Sequence, residues 1–193
     1  MKILAIGDVH GDFDAMVRLI ELHKPDLCVQ VGDLESVRNE QDLLQLHVPE
    51  KYRRIKGFPP YWTGEKKIPV PTVFLSGNHE PAGLLEQHEP ALGRNPNVVQ
   101  NLRYLGRWNV IEVGDVVIAG LSGNYGEGDY EEDSALRRQK GEATGWRASR
   151  GHSHFRKDEV QSLIRACRGR KINILLTHEW PAGLVSAKDA EAM

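Results

Sequence analysis

An α/β fold is what the 193-residue sequence predicts, and three features predict it. Four short runs, ILAI (3–6), LCVQV (27–31), PTVFL (71–75) and INILLT (172–177), are apolar and rich in β-branched residues, with the length of buried strands. Each run breaks into a polar cluster: GDVHG (7–11), VGDLE (31–35), LSGNHE (75–80) and LLTHE (175–179). After the first cluster, Phe13, Met16, Val17 and Ile20 fall at i, i+3, i+4 and i+7, the spacing of a helix face. Strands whose carboxyl ends carry polar groups direct them to one sheet edge, where open α/β sheets bind their ligands.

The remaining elements follow in order. Residues 38–67 are basic and proline-bearing, with a short apolar stretch (Leu43, Leu44, Leu46) long enough for one or two helical turns; they form an insertion beside the site. Residues 81–88 suit a short helix, with Pro81 tolerated in its first turn. VVQNLRYLG (98–106) is followed by WNVIEV and VVIAGLSG, which join at Gly114–Asp115 as a hairpin. Residues 123–156 lack sustained periodicity and read as a mobile basic loop. Lys157 to Cys167 form an amphipathic helix with Val160, Leu163, Ile164 and Cys167 on its apolar face. The tail after residue 183 offers no strand and should fray.

The strand-end clusters carry Asp8, His10, Asp33, Asn78 and His178. One Gly-Asp after a strand is an ordinary turn, but turn chemistry does not account for four such clusters in series. Carboxylate, imidazole and amide oxygen suit Mn²⁺, Fe²⁺ or Zn²⁺, and no thiolate is present to select copper or an iron–sulfur cluster. The set is too large for one ion. Two divalent ions about 3.5–4 Å apart need a shared carboxylate, and Asp33 is the candidate, with Asp8 and His10 on one ion and Asn78 and His178 on the other. A hydroxide held between such ions is a nucleophile near neutral pH, because coordination lowers the pKa of water from 15.7 to about 7. His79, next to Asn78, is the candidate catalytic residue, placed to protonate a departing alkoxide.

GDVHG, GDLE, GNHE and THEW, in that order, resemble the motifs of the calcineurin-like metallophosphoesterase superfamily. Residues 35–80 and ILLTHEWPAGL (174–184) resemble the RNA lariat-debranching enzymes within it. The resemblance implies a four-layer α/β/β/α sandwich, two divalent metals, and hydrolysis of a phosphodiester such as the 2′,5′ branch linkage of RNA. It directs attention to Arg38, Asn39 and Glu40 (RNE), Tyr52 and Arg53 (VPEKYR), Trp146, Arg147 and His154 as substrate contacts. Two departures stand out. Many debranching enzymes carry Cys where this chain has Asp8, so the general superfamily ligand is retained. The superfamily's late Gly-His-X-His motif is absent, because the chain stops 15 residues beyond His178. A C-terminally truncated fold, with each metal short of one imidazole, is therefore expected. GHSH (151–154) precedes the THE cluster and follows a polar segment, so it reads as the approach to a helix.

Composition, 40% hydrophobic and 27% charged, is that of one globular domain spanning residues 1–193. The opening apolar run is too short for a signal peptide or membrane span, which points to a cytoplasmic protein with no membrane partner. Cys28 and Cys167 are expected to be free thiols. The net charge of −2 conceals segregation. Residues 137–157 hold seven Lys/Arg against Glu142, and residues 51–67 hold six against Glu65. Both stretches carry aromatics (Tyr52, Phe58, Tyr61, Trp62; Trp146, Phe155), the combination that follows a phosphate backbone while stacking unpaired bases. The alternative to a phosphodiesterase is a catalytically impaired nucleic-acid-binding module, or a fragment without its last ligands.

Overall fold

The computed structural model describes residues 1–46, 48–135 and 151–181. Two sheets face each other. The first contains β1 (Ile3–Ile6), β2 (Leu27–Gln30), β3 (Thr72–Phe74), β4 (Asn97–Val99) and β5 (Leu102–Tyr104) in the order β1-β2-β3-β5-β4, with only β4 antiparallel. The second contains β6 (Trp108–Val113), β7 (Val116–Leu121) and β8 (Ile174–Thr177); β6 and β7 form the expected hairpin, and β8 joins β7 in parallel.

Helix α1 (Phe13–His23) forms because its apolar residues recur at helical spacing and both ends are capped. The Asp12 carboxylate accepts the Ala15 N–H at 2.9 Å, and Lys24 closes the helix in the left-handed conformation, donating to the Ile20 carbonyl. Phe13, Met16 and Ile20 are buried against the outer face of the first sheet. Each such side chain contributes about 1.5–3 kcal/mol. Alternation along the strands fills both faces of that sheet: Cys28, Phe74, Leu102 and Tyr104 point to the α1 side, whereas Leu27, Val29, Val73 and Leu75 meet Ile111, Ile118 and Leu176 of the second sheet. Short helices α2 (Glu40–Leu43), α3 (Pro59–Trp62), α4 (Ala82–Gln87) and α5 (Glu127–Tyr130) decorate the loops. The last described helix, α6 (Lys157–Cys167), packs on β6 and β7 from outside. The layers are thus α/β/β/α.

Several sequence expectations are corrected here. The four apolar runs do not share one sheet: β8 belongs to the second, so His178 enters from across the sandwich. VVQNLRYLG supplies β4 and β5 of the first sheet, where β5 continues the parallel ladder beside β3. Phe58 and Tyr61 are not surface stackers. Both are buried against the Phe13 ring, at centroid distances of 4.9 and 5.4 Å, because the insertion folds back over α1. On α6, Leu163 is buried but Ile164 is exposed. The stretch 123–156 is structured at both ends, with α5 on one side and a bridge between Asn124 and His154; residues 136–150 lie outside the described residues. The tail from 182 onward also lies outside them. Both cysteines are free, and burial pushes the Cys28 thiol up to about 11. Among the described residues, no helix is long and apolar enough to cross a membrane.

Candidate metal centre

The loops after β1 and β2 are bound to each other by backbone. Val9 and His10 N–H groups both donate to the Asp33 carbonyl, at 3.1 and 2.8 Å, and Gly11 N–H donates to the Leu34 carbonyl at 3.0 Å. This close docking puts His10, Asp33 and Glu35 in the left-handed region, at φ of 46°, 52° and 57°. Non-glycine residues in that region need support from their surroundings. Glu80, buried after β3, supplies it: its carboxylate accepts the Leu34 and Glu35 N–H groups at 2.7 and 3.1 Å. Burial and the neighbouring Asp33 charge push the Glu80 carboxyl well above the usual carboxylate range, against the pull of those donors.

Around the buried Asp33 carboxylate the predicted side chains converge. Its Oδ2 lies 3.8 Å from His10 Nε2, which lies 3.8 Å from Asp8 Oδ2. Its Oδ1 lies 3.6 Å from His178 Nε2 and accepts the His79 backbone N–H at 2.8 Å. His178 Nε2 is in turn 3.4 Å from Asn78 Oδ1. His79 stands edge-on to His10, with ring centroids 4.8 Å apart. All six strand-end residues therefore meet at one place.

The proton on His178 can be located by its partner. Nδ1 faces the Val31 carbonyl at 2.9 Å, an acceptor only, so Nδ1 donates and Nε2 is left with its lone pair. Asn124 Nδ2 donates to Asn78 Oδ1 at 3.3 Å, turning that amide oxygen toward the same point. His178 Nε2, Asn78 Oδ1 and Asp33 Oδ1 then converge as acceptors with no donor among them to bind all three. Such an arrangement is what a cation requires. The Asp8, His10 and Asp33 ligand atoms lie within 4.8 Å of one another and form a second such group. The residues present fit two divalent cations flanking Asp33.

Two glycines make room for this packing. Gly32 has φ of 108°, and a Cβ there would overlap the His178 imidazole. A Cβ on Gly77 would overlap Asp33 Oδ1 and crowd His178 Nε2 at 2.7 Å.

The candidate substrate contacts are distributed differently. Arg38 makes a bidentate pair with Asp42, at 2.7 and 2.9 Å, and its guanidinium lies 4.9 Å from the Trp62 ring centroid. Asn39 caps α2 through the Asp42 N–H, and Glu40 is exposed in the first turn. Tyr52 is exposed with Lys51 Nζ 4.7 Å over its ring, while Arg53 Nε donates to the Val48 carbonyl. His154 Nδ1 pairs with Asp129 at 2.5 Å, and His154 belongs to neither candidate cation group among the described residues. GHSH thus leads into α6, with Arg156 as its N-cap residue, as the sequence predicts. Trp146 and Arg147 lie outside the described residues. The basic character of the second stretch is partly neutralised. Arg156 is fully buried beside Asp129 and Glu132, and Lys157 pairs with Glu131 at 2.9 Å.

Sequence reasoning missed four contributors. Glu80 and Glu35 lie inside the quoted motifs, but their acidic side chains give no hint that one would bind backbone and the other a lysine. Lys56 Nζ reaches Glu35 Oε2 at 2.8 Å from within the basic insertion, where it reads as one cation among six. Arg107, after β5, is buried and holds the approach to α6: it donates to Ser76 Oγ and to the His152 and His154 carbonyls, and pairs with Glu159 at 3.4 Å.

The fold is a four-layer α/β/β/α sandwich with carboxylates, imidazoles and an amide gathered at its strand ends. The chain belongs to the calcineurin-like phosphoesterase family, whose model matches residues 1–192. Among curated proteins it is similar to the lariat debranching enzyme of Arabidopsis thaliana, 36% identical over 199 residues that cover 100% of this chain and 45% of the relative. It is similar also to the lariat debranching enzymes of Caenorhabditis elegans (34% identical; 99% of this chain, 39% of the relative) and Homo sapiens (35%; 95% and 33%). The chain spans less than half the length of these relatives.

Proposed function

We propose that the chain is a metal-dependent phosphodiesterase and that RNA, in particular its 2′,5′ branch linkage, is its substrate. The observation that carries this reading is the Asp33 carboxylate, whose two oxygens face two different imidazoles, His10 at 3.8 Å and His178 at 3.6 Å. Asp8 and His10 would hold one ion, Asn78 and His178 the other, and Asp33 both. Bound there, the ions supply an activated water and take up charge on the phosphoryl oxygens. Manganese, iron and zinc all match the donors.

The chain's own groups do the rest. Val31 keeps the proton of His178 on Nδ1, so Nε2 stays available. The His79 backbone N–H holds Asp33 in place, and its imidazole offers a proton where the leaving oxygen departs. In the insertion, Trp62 beside Arg38 and the exposed Tyr52 beside Lys51 offer aromatic faces with cations next to them, suited to unpaired bases and phosphates. The names of the relatives support the branch linkage as the first substrate to test.

The test is elemental analysis of purified protein combined with cleavage of matched 2′,5′- and 3′,5′-linked RNA. Two ions per chain and faster cleavage of the 2′,5′ linkage are expected. RNA binding without turnover at saturating Mn²⁺ would establish the binding-module alternative instead.

A further inference from the structure

Glu35 and Lys56 lie outside the ligand set yet meet at its edge. Glu35 is 2% exposed, and a single oxygen, Oε2, faces two neighbours: Lys56 Nζ at 2.8 Å and His10 Nδ1 at 3.5 Å. His10, Glu35 and His79 have the spacing of a cation site, with ligand atoms within 4.8 Å of one another. The ammonium argues against that use, because it already occupies the oxygen a cation would need and would repel a second positive charge. A buried carboxylate paired with lysine is instead a fixed anion. What it faces is the nitrogen of His10 that points away from Asp8 and Asp33. An imidazole that presents Nε2 to a metal carries its proton on Nδ1, and a carboxylate there fixes both tautomer and ring orientation. Lys56 is itself held, since its aliphatic stem packs so close over Gly11 that a Cβ on Gly11 would meet it at 2.8 Å.

We propose that Glu35 and Lys56 are a positioning pair: Glu35 fixes the tautomer and aim of His10, and Lys56, from the basic insertion, fixes Glu35. Its consequence for cation binding rests on the proposed reading of His10 as a ligand. The insertion thereby tunes cation affinity on the Asp8–His10 side without touching the ion.

Glu35→Gln, Lys56→Gln and the double variant test it, with Mn²⁺ affinity measured by calorimetry and the His10 ring nitrogens observed by NMR in metal-free protein. Glu35→Gln leaves an unpaired ammonium beside the centre. It should weaken one of two Mn²⁺ sites by about ten- to hundredfold and reduce the Nδ1–H tautomer of His10. The double variant removes the stray charge and lets two amides pair, so it should recover the part of the affinity loss due to the ammonium while the His10 tautomer stays loosened. Lys56→Gln, on a partly exposed side chain, should fold normally and loosen the His10 tautomer alone. An unchanged tautomer in Glu35→Gln, or a double variant showing the sum of the single losses, would overturn the proposal. Should the wild type bind no Mn²⁺, the ligand reading of His10 falls, whereas an Nδ1–H tautomer lost in Glu35→Gln would still uphold the pair.

Discussion

The two sheets hold their parts of the centre by different kinds of bond. Asp8, His10, Asp33, Asn78 and His79 come from three adjacent parallel strands of the first sheet, and their loops are joined by backbone hydrogen bonds and by Glu80. His178 comes from β8 at the end of the second sheet's strand order. Its ring is secured by side-chain contacts: Nδ1 meets the Val31 carbonyl, and Nε2 lies 3.4 Å from Asn78 Oδ1, which Asn124 Nδ2 also meets. Backbone wiring tolerates the loss of a single side chain; side-chain wiring does not. The His178 half is therefore the more adjustable one, and substitutions should expose the asymmetry.

Asp33→Asn should have the largest effect, because it acts on both halves. Losing the shared negative charge removes several kcal/mol of charge stabilisation, about a thousandfold or more in hydrolysis. Asn still accepts the His79 N–H, so the melting curve should remain close to wild type. Full activity in that variant would end the metal mechanism. Arg107→Met comes next. Breaking a buried pair with Glu159, and removing the Arg107 donors to the His152 and His154 carbonyls, should cost about 3–5 kcal/mol of stability in urea unfolding. A loss below 1 kcal/mol would mean that Arg107 does not hold the approach to α6.

Gly32→Ala should cost about 1–3 kcal/mol from its φ of 108° alone, with additional loss of Mn²⁺ at one site as the methyl displaces His178. Equal weakening of both sites would contradict the division into halves. The smallest effect is expected for Asn124→Ala. Freeing the Asn78 amide to rotate should cost about 1 kcal/mol of cation affinity, roughly fivefold, measured by calorimetry.

Much of this was legible in the chain itself. The α1 helix follows from Phe13, Met16 and Ile20, and the β6–β7 hairpin from Gly114–Asp115, because local periodicity and turn chemistry act over a few residues. The six strand-end residues were readable because a polar cluster after a buried strand has few other uses. The fates of Phe58 and Tyr61 were not. An aromatic in a basic stretch looks the same on the surface as under a folded insertion, and only the approach of that insertion to Phe13 separates the two.

The sequence by itself determined which polar residues follow the strands, since that depends on neighbours along the chain. Tertiary structure alone decided that His178 crosses from a second sheet, that Glu80 supports the left-handed Asp33 and Glu35, and that Lys56 finds Glu35. Those contacts join residues 21 to 147 positions apart. Burial selects among the partners of a buried carboxylate or imidazole, and burial is a property of the folded molecule.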